Sequence, residues 1–136
     1  MFRYTTYAKN ESMYNTPPTF QIYAFGLILN WIEANGGLIA MESLNKRKAG
    51  YIYEALDSAP GTYIPHSRKE DRSLMNVTFN LADKSKEAEF LKGAEGRKLS
   101  GLKGHRSVGG IRASIYNAMP EEGCRALADY LREFAG

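Results

Sequence analysis

The chain has 136 residues, room for one domain with a real core, and its 43% hydrophobic and 24% charged residues are ordinary for a water-soluble globular fold. Its formal net charge of +3 permits weak attraction to anions but falls far short of a dedicated nucleic-acid binder. The single cysteine, Cys124, excludes an internal disulfide and a thiolate zinc cluster, and it suits a reducing, cytoplasmic setting.

Residues 1–18 read as irregular polar chain ending in Asn15-Thr16-Pro17-Pro18, a Pro-Pro pair that forbids helix before it. The stretch Met1 to Tyr7 carries no apolar signal core. Thr19 suits an N-cap. From Phe20 the spacing is helical: Phe20, Tyr23, Ala24, Leu27, Ile28 and Trp31 share one face, with Ile22, Phe25, Leu29 and Ile32 opposite. A helix apolar all round is covered on both sides, which places it at a domain or subunit boundary. Gln21 and Asn30 interrupt this run, and it is too short for a membrane span. No membrane or nucleic-acid partner is expected.

Gly36-Gly37 stops the helix, and a second spans Leu38 to about Ser58 with Leu38, Met41, Leu44, Tyr51, Ile52 and Ala55 inward. Lys46-Arg47-Lys48 reads as a solvated face. Pro60-Gly61 makes a turn, and Arg68, Lys69 and Arg72 read as solvated loop charge. Residues 74–81 alternate as a half-buried strand with Met75, Val77, Phe79 and Leu81 on one face. Lys84 to about Arg97 reads as a short helix using Ala88, Leu91 and Ala94. A strand over 108–116 sends Ile111, Ala113 and Ile115 inward and Arg112, Ser114 and Tyr116 outward. Pro120 opens a last helix with Glu121 and Glu122 in its first turn and a stripe of Cys124, Leu127, Ala128, Leu131 and Phe134. The order fits an α+β two-layer domain, helices on one face of a small, mainly antiparallel sheet.

The chemistry gathers at His105, Arg106 and Arg112 beside Gly109-Gly110. Arginine's planar fork matches a carboxylate or phosphate in two parallel bonds. The Gly-Gly pair permits close backbone approach or positive φ, and histidine adds a donor tunable near neutral pH. An anion site and a solvated strand entrance both fit these residues. Asn15 and Thr16 can donate to a phosphate or stabilise a turn before proline. His66 reads as a loop histidine with no metal-ligand partner in register. Phosphate loop, His-Glu-x-x-His, nucleophile elbow and paired-cysteine motifs are all absent. No catalytic group and no metal ligand is assigned.

Two segments, Ser12 to Phe20 and Gly104 to Pro120, closely resemble the phosphoserine aminotransferases, a class V family of pyridoxal-phosphate enzymes. Asn35-Gly36-Gly37-Leu38 and Arg72-Ser73-Leu74-Met75-Asn76-Val77 agree in the same order. The resemblance implies an aspartate-aminotransferase-like fold working as a homodimer, with pyridoxal 5'-phosphate as cofactor. It implies amino transfer between glutamate and 3-phosphohydroxypyruvate, giving phosphoserine and 2-oxoglutarate. Arg112 would hold the substrate α-carboxylate, and His105 and Arg106 its distal phosphate or the glutamate side chain. Asn15 and Thr16 would reach the cofactor phosphate of a neighbouring subunit.

Family members are more than twice this length, and no lysine here sits in the motif of the Schiff-base lysine. The expectation is therefore a C-terminal portion, inactive alone and unable to retain cofactor by itself. Residues 1–18 would belong to the large-domain and dimer-interface region, and 19–136 would form the small domain with its leading interface helix. A non-catalytic anion-binding or interaction module on the same small-domain fold is the alternative.

Overall fold

The computed structural model describes residues 3–136; Met1 and Phe2, which open the stretch read as lacking a signal core, lie outside them. Two compact units divide the chain, one through Leu38 and one from Ile39. In the first, helix α1 (Tyr4–Lys9) occupies part of the stretch read as irregular, although no side chain caps it and none of its residues is buried. Helix α2 (Thr19–Ala34) begins one residue earlier than a Thr19 cap requires: Pro18 holds the cap position, and the Thr19 hydroxyl donates to the Pro17 carbonyl at 3.2 Å. None of its residues is buried, and Phe20 stands 76% exposed, so within its own unit the all-round apolar helix is uncovered.

The second unit is one layer of helices on a three-stranded antiparallel sheet. Helix α3 (Gly37–Ser58) leads to β1 (Tyr63–Pro65), β2 (Asn76–Leu81), α4 (Glu87–Gly96), β3 (Ile111–Ser114) and α5 (Glu121–Ala135). The strands lie in the order β1-β2-β3. Tyr63 pairs with Leu81, Pro65 with Phe79, Thr78 with Arg112 and Asn76 with Ser114. Strand alternation then decides which side chains are buried: Val77, Phe79 and Leu81 from β2, with Ile111 and Ala113 from β3. They share one core with Ala49, Ile52 and Leu56 of α3, Phe90 of α4 and the stripe of α5. Phe90 meets Phe79 and Tyr63 edge-on, at 6.0 and 6.5 Å between ring centroids. The two buried phenols are both satisfied, Tyr63 donating to the Leu131 carbonyl and Tyr130 to that of Phe90, each at 2.7 Å.

Several expectations need correction. Strand β1 was not foreseen, being three residues long and ending in proline. Leu38 is 78% exposed rather than inward. In α4 the buried positions are Phe90 and Ala94, one helical turn apart, and Ala88 is exposed, because two residues before Phe90 it falls on the opposite side of the helix. Pro120 occupies the cap of α5 rather than its first turn.

Arg72 is not solvated loop charge. It lies over the Tyr53 ring at 4.5 Å and binds Asp57 through two nitrogens, at 2.9 and 2.6 Å. Those bonds, with Lys69, hold the Asp57 carboxyl at about 2, below its ordinary 3.8. A carboxyl depressed by folding stabilises the fold above its unfolded pKa, and that contribution disappears as pH falls through the folded value. Urea midpoints should therefore drop between about pH 4 and about pH 2, and Asp57→Asn should flatten part of that drop. Identical acid profiles for the two proteins would contradict the assignment.

Candidate functional site

Strand β3 aims Arg112 away from the core, and loop 104–110 folds over the same face of the sheet. Gly104 donates to the Gly110 carbonyl at 2.8 Å, and the amides of Val108 and Gly109 both bond the His105 carbonyl, at 2.9 and 2.8 Å. Gly110 has φ +67°, and a Cβ there would overlap Asn80 Oδ1 and reach 2.9 Å from the Phe79 carbonyl. The loop can therefore lie directly against β2 only because it is built of glycine at this point.

Between loop and sheet lies a cleft of about 250 Å³, lined by His66, Thr78, Asn80, His105, Gly109 and Arg112 among others. No acidic residue lines it. Arg112 Nε is buried without a hydrogen-bond partner, and Arg112 forms no ion pair with any described residue. A guanidinium held in this way retains its charge and its fork for an incoming anion. Ser107 fixes the His105 ring: its amide donates to Nδ1 at 3.3 Å and its hydroxyl lies 2.7 Å from the same nitrogen. With Nδ1 accepting, the neutral ring carries its proton on Nε2 as a donor.

Of the residues singled out from sequence, the structure brings His105 and Arg112 together in one cleft and leaves Arg106 exposed on the loop, outside the lining. Asn15 and Thr16 are exposed in the first unit, and neither side chain bonds another described residue. Cys124 is buried core, and burial pushes its thiol up from the ordinary value, away from nucleophilic use. His66, set aside as a loop histidine, lines the cleft. Its amide donates to the Thr78 carbonyl at 3.0 Å, extending the β1–β2 ladder by one residue.

Lys48 corrects the solvated reading of Lys46-Arg47-Lys48. It is fully buried, and its ammonium donates to the carbonyls of Ile115, Tyr116, Asn117 and Met119 at 3.2, 2.8, 3.3 and 3.1 Å. Beside it, Asn45 Nδ2 donates to Asn117 Oδ1 at 2.8 Å. Together they fasten the chain that leaves β3. The signal was present in the helical phase, because Met41, Asn45, Lys48, Ile52 and Ala55 recur at the spacing of one face. Two polar residues on an otherwise buried stripe call for a buried acceptor.

The class V aminotransferase family model matches residues 1–127. The chain belongs to that family. It is 56% identical over 135 residues to a phosphoserine aminotransferase of Acidithiobacillus ferrooxidans, covering 99% of this chain and 37% of that protein. The crystallised phosphoserine aminotransferase from Bacillus circulans subsp. alkalophilus superposes with a TM-score of 0.88 at 50% identity, over 98% of this chain and 37% of that one. A phosphoserine aminotransferase from Trichomonas vaginalis, solved with PLP bound, matches at a TM-score of 0.83 and 47% identity, over 95% of this chain and 37% of that one. This class V aminotransferase chain thus spans just over a third of the length of the relatives it matches. Its fold is the aspartate-aminotransferase-like α+β arrangement expected from the sequence.

Proposed function

We propose that this chain is the substrate-gripping part of a phosphoserine aminotransferase, which moves an amino group between glutamate and 3-phosphohydroxypyruvate in the cytoplasm as a homodimer. The observation that carries this reading is Arg112, buried at Nε and unpartnered in an acid-free cleft. Its fork receives the α-carboxylate common to both substrates. His105 and Arg106, on the loop above, receive the distal phosphate or the glutamate side-chain carboxylate. In the first unit, α2 is the interface helix and residues 1–18 belong to the large-domain and dimer-interface region.

Pyridoxal phosphate, when bound, supplies the electron sink for amino transfer. The residues here suit one end of it. Asn15 and Thr16 have uncommitted amide and hydroxyl donors of the kind a phosphate takes, and they would hold the cofactor phosphate of the neighbouring subunit. No lysine lines the cleft, and the buried Lys48 is spent on four carbonyls. No residue of this chain is therefore assigned a bond-making or proton-transfer role, and the chain alone should neither hold the cofactor through dialysis nor transaminate.

The test is a chimaera in which this chain replaces the matching 37% of the Acidithiobacillus ferrooxidans enzyme. It should transaminate phosphohydroxypyruvate, and Arg112→Ala should raise KM and lower kcat/KM by about 2–5 kcal/mol, as for a charge pair losing one partner. An Arg112→Ala enzyme with unchanged kcat/KM overturns the carboxylate role. A folded but inactive wild-type chimaera favours an anion-binding module without catalysis.

A further inference from the structure

We infer that His66 is a substrate-anion contact, the far end of a row of donors running across the sheet from Arg112 through Thr78. This rests on the anion-cleft reading above and extends it to a residue on a different strand. Thr78 pairs with Arg112 in the β2–β3 register, and the His66 amide bonds the Thr78 carbonyl, so the three residues lie side by side on adjacent chains. Thr78 alternates with the buried Val77 and Phe79, and Arg112 with the buried Ile111 and Ala113. Both side chains therefore leave the sheet on its open face, where His66 is also exposed.

Neighbouring strands lie about 4.8 Å apart, so the outer two residues of the row are about 10 Å apart at their backbones. A guanidinium and an imidazole reaching inward from either end can hold the two anionic ends of one small substrate lying across Thr78, the α-carboxylate at Arg112 and the distal anion at His66. All three residues line the cleft under loop 104–110, and no carboxylate there competes for them. His105 closes the same cleft from the loop, so the only two histidines of the chain face one cavity. A floor and a roof that each present an imidazole favour a doubly charged phosphate monoester over a single carboxylate, since the phosphate has oxygens for both.

The two histidines also make the test clean, because the ring Cε1–H region of the NMR spectrum holds one resonance from each. Titrating this chain with O-phosphoserine at fixed pH should move both resonances along a single saturation curve. In His66→Gln the His105 resonance should keep its free position, showing the loop intact. Its saturation should then need a roughly threefold to fivefold higher phosphoserine concentration, the scale of a partly exposed charged contact. Movement of His105 alone, or an unchanged affinity in His66→Gln, overturns the role of His66 and leaves the Arg112 cleft standing. If neither resonance moves, the cleft is no anion site, and the reading it rests on falls with it.

Discussion

Replacing Lys48 by methionine should lower the stability of the second unit by about 2–4 kcal/mol, whereas Arg47→Met next to it should change stability by about 0.5 kcal/mol or less. Methionine fills nearly the same volume, so the difference isolates the ammonium. Its loss strips four carbonyls, on Ile115, Tyr116, Asn117 and Met119, of the donor they share inside the fold. An orphaned buried acceptor costs about 1–3 kcal/mol. The sum is not four times that, because the Tyr116 carbonyl still accepts from the Met119 amide at 2.9 Å and because the lysine itself is held at a cost. Burial pushes its pKa below the ordinary lysine value, so the carbonyls recover only part of the hydration it gave up. Urea denaturation followed by far-UV circular dichroism measures the difference directly, and equal midpoints for the two variants would refute the buried latch. Because the latch holds the chain immediately after β3, amide exchange at Ile115 and Met119, which donate to the Met75 and Tyr116 carbonyls, should quicken more than at the β1–β2 pairs.

The same contrast explains which parts of this molecule could be read from its sequence. The alternation Val77-Phe79-Leu81 and the stripe Cys124-Leu127-Ala128-Leu131 are long enough for their periods to name both the element and its buried face. The structure buries all of them. Strand β1 offers only three residues, the last a proline, and its identity comes from pairing with β2, a contact that no local pattern encodes. His66 is hidden for the same reason, since its place in the row with Thr78 and Arg112 follows from register alone. Lys48 is a different case. Its phase on α3 marked it as inward, but the charge run Lys46-Arg47-Lys48 suggested a solvated face, and the acceptors that resolve the conflict lie 67 to 71 residues away. Arg112 and His105 were legible because they sit within eight positions of one another, on one strand and its entering loop.

Loop 104–110 carries the second large effect. A methyl group at Gly104 would collide with the carbonyl oxygen of Gly109 and come within 2.6 Å of that of Gly110, and both obstacles are backbone. Neither can rotate away, so the loop must lift, giving up the 2.8 Å bond from Gly104 to Gly110 that closes it. At Gly110 a Cβ meets the Asn80 side chain, which can turn aside, and the Phe79 carbonyl at 2.9 Å, with φ +67° adding strain. At Gly109, φ is +77° but nothing lies within 4 Å, so only the backbone term remains, about 1 kcal/mol. Anion affinity should therefore fall in the order Gly104→Ala, then Gly110→Ala, then Gly109→Ala. The first should lose at least about tenfold, since overpacking of about 1–3 kcal/mol falls directly on the loop that carries His105. Phosphoserine titrations read on the His105 ring give the ranking. Overall stability should change less than affinity in Gly104→Ala, because the loop lies outside the aromatic core around Phe90. If Gly109→Ala proves the most damaging of the three, positive φ rather than the close approach of the two strands of loop would govern this roof, and the cleft would owe its shape to torsion instead of contact.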